Sequence, residues 1–159
     1  MYCTISDFIQ EWNREASLTQ AVLDRLTDES LTQRVDHEGR TLGEIAWHFT
    51  TNIPEYLQHF GVRMSADYLG KKVPASAKEI AHVFTEISQG ASEAIAEQWN
   101  DVSLQEVQNA FGRQETNATI FFGLIKHIVH HRGQVTVLMR QAGVVPFGVY
   151  GPTREGVSS

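Results

Sequence analysis

Four stretches of this chain repeat apolar residues at helical spacing, separated by capping and turn residues, and they predict four long α-helices. In the first, Phe8, Trp12, Leu23 and Leu26 share one face, with an N-cap expected at Ser6 and Asp7 and an end near Leu26. Glu15 and Thr19 fall inside that stripe. They read either as a snorkelling carboxylate and a backbone-bonded hydroxyl, or as the lining of a polar pocket. Thr41 and Glu44 have the spacing of a capping box and open the second helix, whose inward residues are Leu42, Phe49, Ile53, Leu57 and Phe60. Ser76 and Glu79 repeat that signal before a third helix that runs to about Trp99 and buries Ile80, Phe84, Ile87, Ala91 and Ile95. The fourth starts near Thr116 and Asn117 and stops before Gly143, a residue type suited to the position just past a helix.

No segment alternates as a buried strand should, so no β-strand is predicted, and Ser103 to Glu106 reads as a short extra turn. Four helices with one apolar stripe each imply an all-α four-helix bundle. The intermediate connections, some ~15 residues long, exceed what an up-down meander needs and point to crossover connections. The pattern reads as one domain over residues 1–159, with an irregular tail over 143–159. The tail's Val145, Phe147, Val149 and Tyr150 are expected to bury against a second subunit or the bundle's own open end.

Composition narrows the function more than the fold. With 42% hydrophobic and 20% charged residues the chain is an ordinary globular one. A net charge of -6 without a basic stripe argues against nucleic acid as a partner. No apolar run approaches the ~20 residues needed to span a bilayer, and the first residues do not read as a signal peptide. A cytoplasmic protein without a membrane partner is expected. The single cysteine, Cys3, rules out an internal disulfide and any cysteine-based zinc site.

That leaves the histidines. His127 and His131 lie within about 40° of each other on a helical face, in the sector of Ile120, Leu124, Val135 and Leu138. Two imidazoles in a core-facing stripe need a partner for each ring nitrogen: a transition-metal ion, which suits the i,i+4 spacing, or side chains and backbone of the facing helices. His130 falls about 80° off that stripe. His37, His59 and His82 read as solvated surface residues, and periodicity leaves His48 undecided at the border of its stripe. Two familiar motifs fail: Ile128 stands where a zincin needs glutamate, and only Glu79 and His82 offer a Glu-x-x-His pair, with the histidine facing outward.

Leu42-Gly-Glu-Ile-Ala-Trp-His48, His127-Ile-Val-His-His131-Arg-Gly-Gln134 and the tail's Gly143 to Pro146 with Tyr150 to Pro152 together resemble the DinB/YfiT-like family of metalloenzymes. The resemblance implies a four-helix bundle whose histidine triad holds a divalent metal between the second and fourth helices, usually in a homodimer. It makes His48, His127 and His131 the three ligands. Some members of that family resemble metal-dependent transferases or isomerases that use a low-molecular-weight thiol, so a transferase using such a thiol on a small-molecule substrate is the expectation for this chain. A non-catalytic metal- or ligand-binding stress-response protein and a metal-dependent hydrolase are the alternatives. Three imidazoles leave an open position on a tetrahedral ion, as catalytic sites require, with Zn²⁺ or Ni²⁺ the leading metals. Glu15 and Glu44 are the candidates for positioning substrate or moving a proton. Arg132, about 100° from His131, is expected to make a structural ion pair.

Overall fold

The computed structural model describes residues 2–65, 68 and 70–156. Its helices are α1 (Ile5–Leu23), α2 (Leu42–His59), α3 (Ala77–Gln98) and α4 (Asn117–Gln141). Each begins at a hydroxyl that satisfies an otherwise orphaned backbone N–H. Thr4 and Asp7 form a full capping box on α1, as do Thr41 and Glu44 on α2, while Ser76 and Thr116 cap α3 and α4. The box moves the start of α1 ahead of the expected Ser6, because only Thr4 has an acidic partner three residues on. α1 also ends before Leu26, which nevertheless stays buried in the turn that follows. α4 stops where expected: Gly143 has φ 76°, and Val144 N–H reaches back to Met139 O at 2.8 Å.

α1 and α2 each pack against both α3 and α4, so α1 lies diagonal to α2, and α3 to α4. Two of the three links must therefore cross the bundle, which explains their length. The first carries a 3₁₀ turn over Glu29–Thr32 that rests on the start of α2. Gly43 permits this approach, since a Cβ there would lie 3.2 Å from both Leu31 Cβ and Leu31 O.

The second diagonal link corrects the strand-free expectation. After a 3₁₀ turn over Ser103–Gln105, β1 (Val107–Ala110) and β2 (Arg113–Thr116) form an antiparallel hairpin with Val107 opposite Thr116. Its strands are four residues long and only Ala110 among their residues is buried, so they carry no apolar alternation. Its two-residue turn needs positive φ at Phe111 (53°) and Gly112 (88°), a demand that Asn-Gly usually meets. Phe111 is held there by parallel stacking on His59, with centroids 5.7 Å apart.

All the expected stripe residues are buried, from Phe8 and Trp12 to Val135 and Leu138. The Phe8 and Phe121 rings meet at a tilt with centroids 4.7 Å apart, and Trp12 donates its indole N–H to Ser88 O at 2.9 Å, which ties α1 to α3. In the tail, Val144, Phe147 and Val149 pack on the bundle's own core. Val145 and Tyr150 remain exposed. Among the described residues no helix is long and apolar enough to cross a membrane.

Candidate metal centre

Where α2 meets α4, three half-buried imidazoles converge. His127 and His131 sit one turn apart on α4, their Nε2 atoms 3.1 Å from each other. His48 of α2 closes the group, its ring 5.5 Å from that of His127 and 5.0 Å from that of His131, centroid to centroid. One ligating nitrogen from each of the three lies within 4.8 Å of the others. Nitrogens bound tetrahedrally at 2.0–2.1 Å stand about 3.3 Å apart, so a small inward movement of His48 would complete the geometry. Among the described residues these are the ones that could share a metal ion.

The pair on α4 does not occupy the middle of the buried arc, as the stripe had suggested. Burial on α4 extends over Phe121, Ile125, Ile128, Arg132 and Met139, because the helix faces α1 as well as α2. That widened arc leaves the histidines at its α2 border, half-exposed and accessible to a ligand. Periodicity alone could not find His48. Its partners are remote in sequence, and only the crossing of α2 over α4 brings them to it.

Neighbouring groups prepare the imidazoles for ligation. Gln134 Oε1, which can only accept, lies 2.7 Å from His131 Nδ1 and so fixes the proton there, leaving the Nε2 lone pair facing the cluster. His127 Nδ1 is buried without a hydrogen-bond partner among the described residues. Burial, reinforced by His131, His48 and His130, pushes the His127 pKa down to about 4. Burial lowers His48 too, with help from Arg40 and His131 and opposition from Glu55. His131 is lowered by burial, against the bond to Gln134. All three are therefore neutral near pH 7, the form in which imidazole binds metal. A nitrogen-only donor set of this kind fits a divalent transition metal.

The remaining candidates are placed apart from the cluster. His37, His59 and His82 are exposed, and His130, though its ring is 5.0 Å from that of His131, points to solvent outside the group. Glu15 does not snorkel. It is 4% exposed and accepts from Arg132 Nη2 at 2.7 Å, the structural ion pair expected of that arginine. Thr19 donates to Glu15 O at 2.7 Å and accepts from Arg132 Nη1 at 3.0 Å, while the Tyr150 hydroxyl bonds both Glu15 and Arg132. The Glu15 carboxylate is thus consumed on the α1 side of α4. Glu44 lies beside His48 in a cleft, but its Oε2 accepts from Thr41 N–H at 2.6 Å as half of the capping box.

That cleft encloses 290 Å³ and is lined by Arg40, Glu44, Trp47, His48, Thr51, Glu55, Tyr68, Gly70 and Lys71. A larger groove of 500 Å³ runs along α3 past Gly90 and Glu93, and it contains none of the histidines. Size alone does not pick the site; the convergent nitrogens do. Arg40 and Lys71 escaped the sequence reading because both sit in irregular segments, where no periodicity assigns a direction.

A family model described as the DinB family matches residues 1–157. The chain is 41% identical over 155 residues to the uncharacterized protein YrdA of Bacillus subtilis (strain 168), covering 98% of this chain and 93% of that one. A crystal structure of a DinB-like protein from Bacillus cereus ATCC 10987 superposes with a TM-score of 0.88 at 43% identity, over 94% of this chain and all (100%) of that chain. A second DinB-like protein, YjoA from Bacillus subtilis, shares the fold at TM-score 0.67 with 11% identity, over 86% of this chain and 92% of that one.

Proposed function

The chain belongs to the DinB family, and from that premise we propose that it holds a divalent metal ion on His48, His127 and His131 and transfers a low-molecular-weight thiol to a small electrophilic substrate. The observation that carries this reading is the convergence of three neutral imidazoles from two helices, with no carboxylate among them. A divalent ion bound this way supplies Lewis acidity at an open position and acidifies a thiol there. Zn²⁺ and Ni²⁺ both suit all-nitrogen ligation.

The chain's own residues prepare that chemistry. Burial keeps the three rings neutral, and Gln134 holds His131 in the tautomer that offers Nε2. Glu15 and Glu44, the two carboxylates considered for proton transfer, are committed to Arg132 and to the α2 cap. A reaction whose nucleophile is acidified by the ion itself suits such a site better than hydrolysis assisted by a carboxylate base.

Elemental analysis tests the ligands. His127→Ala or His131→Ala should abolish bound metal, His48→Ala should weaken it severely, and His130→Ala should retain it. Equal loss at His130 and His131 would sink the assignment. Adding 2-mercaptoethanol to the Co²⁺-loaded protein should alter its visible spectrum; no change would remove the thiol and favour a hydrolase or a non-catalytic metal-binding protein. Association as a homodimer is part of the proposal, although the tail lends it little, since Val144, Phe147 and Val149 pack at home. Light scattering that returns a monomer at micromolar concentrations would discard it.

A further inference from the structure

The cleft beside His48 holds two cations on its wall. Arg40 precedes the α2 cap and Lys71 lies in the link from α2 to α3, and both line the cleft together with His48. Among the described residues neither is in an ion pair. Trp47, the neighbour of His48 in sequence, donates its indole N–H to Lys71 O at 3.1 Å and so pins the lysine's backbone to α2. Lys71 Nζ lies over the Tyr68 ring, 4.4 Å from its centroid, which holds the ammonium on the cleft wall. Of the two carboxylates in the lining, Glu44 is bound to the Thr41 N–H, and Glu55 forms no ion pair with either cation among the described residues.

Cations held on a cleft wall outside any ion pair are poised for an anion that arrives from outside. Long-range attraction cannot be the reason for them, because the chain as a whole carries -6. A volume of 290 Å³ stands at the small end of ligand pockets, which suits a compact metabolite rather than a polymer. Arg40 and Lys71 share the cleft with His48, so an anion held there lies beside one ligand of the triad.

We propose that this cleft is the substrate-anchoring subsite of the metal centre, where Arg40 and Lys71 grip the carboxylate or phosphate of a small anionic ligand whose other end reaches the histidine triad. This rests on the metal reading above and adds to it a ligand class. Arg40 acts through its planar pair of donors, Lys71 as a second point charge. Neither takes part in bond making.

Titration calorimetry on the zinc-loaded protein at low salt, with 3-mercaptopropionate, propionate and 2-mercaptoethanol, tests it. The charged thiol should bind about tenfold more tightly than the neutral one, the effect of one charge-assisted contact. Arg40→Gln and Lys71→Gln should each collapse that ratio toward one. Lys78→Gln, which removes the same charge from the exposed start of α3, should leave the ratio as it is. Propionate should bind weakly even without metal, again only while Arg40 is present. Equal affinity for the two thiols, or a ratio indifferent to Arg40 and Lys71, overturns the subsite even if 2-mercaptoethanol still binds at the metal. If propionate binds in an Arg40-dependent way and neither thiol gains from zinc, the subsite stands and the thiol reading falls.

Discussion

His131 and Arg132 are neighbours on α4, yet they belong to two polar clusters in opposite conditions. Arg132 points toward α1, where Glu15, Thr19, Glu15 O and the Tyr150 hydroxyl share its donors, and its side chain is 3% exposed. His131 points toward α2 into a group of imidazoles at close range, one of which has a buried nitrogen with no partner among the described residues. The first cluster is closed: charge and hydrogen bonds are balanced within the protein, so nothing further is needed there. The second is open: its facing Nε2 atoms bond only each other, and His127 Nδ1 has no hydrogen-bond partner among the described residues. One residue's rotation around a helix thus separates a structural buried charge from a candidate site.

The largest effect that would test this contrast is on stability. Glu15→Gln leaves Arg132 buried without its counter-charge and should cost about 3–5 kcal/mol of folding stability in urea denaturation. Tyr150→Phe, which removes one partner at the edge of the cluster, should cost about 1 kcal/mol. In both variants the folded protein should bind metal with the parent stoichiometry. A Glu15→Gln protein that stays stable but loses metal would show that the two clusters act as one.

Gln134→Leu sharpens the open side. It removes the acceptor that sets the His131 tautomer while leaving all three imidazoles in place. Loss of such a partner typically weakens metal affinity about 10–100-fold, which a competitive chelator titration would read. The stability of the metal-free protein should change little, because Gln134 is exposed. An unchanged affinity would mean that His131 finds its tautomer without help.

Most of this was readable from the chain, for physical reasons that differ by region. The stripes from Phe8 to Leu138 announced the four helices, because burial of one face imposes its period on the sequence. The hairpin at Val107 to Thr116 stayed hidden, because exposed polar strands impose none and the tip uses Phe111 where a turn residue would have signalled it. His127 and His131 were legible as a pair through their spacing. His48 required the family resemblance, since no local period encodes a contact between α2 and α4. The spacing of Arg132 predicts its ion pair but not its link to Tyr150, because the tail is irregular and no period gives its hydroxyl a direction.

Acid should separate the clusters by titration. The His127 pKa falls from 6.5 to about 4 on folding, so between those values the unfolded chain binds more protons than the folded one. The stability this group contributes is complete above pH 6.5 and is lost as pH falls through about 4. His48 and His131, lowered in the same direction, add to the loss. The thermal midpoint of metal-free protein should therefore fall across that window, and His127→Gln should flatten the fall. A profile identical in the variant would place the acid sensitivity elsewhere.

The smallest effect concerns Gly133, which separates the closed cluster's Arg132 from the open cluster's Gln134. It sits inside α4, exposed, and a Cβ built on it meets nothing within 4 Å. Glycine in a helix interior is about 0.5–1 kcal/mol less stable than alanine because it has more backbone freedom to lose. Gly133→Ala should therefore raise the stability of the isolated chain by about that amount in urea denaturation. The substitution touches neither cluster, so metal content and the affinity for 3-mercaptopropionate should match the parent. A gain in stability with both bindings intact would confine the polar function of this stretch to Arg132 and Gln134. A loss of stability that grows with protein concentration would instead mean that the missing Cβ makes room for a second copy of the chain, and the homodimer would then have its contact at the centre of α4.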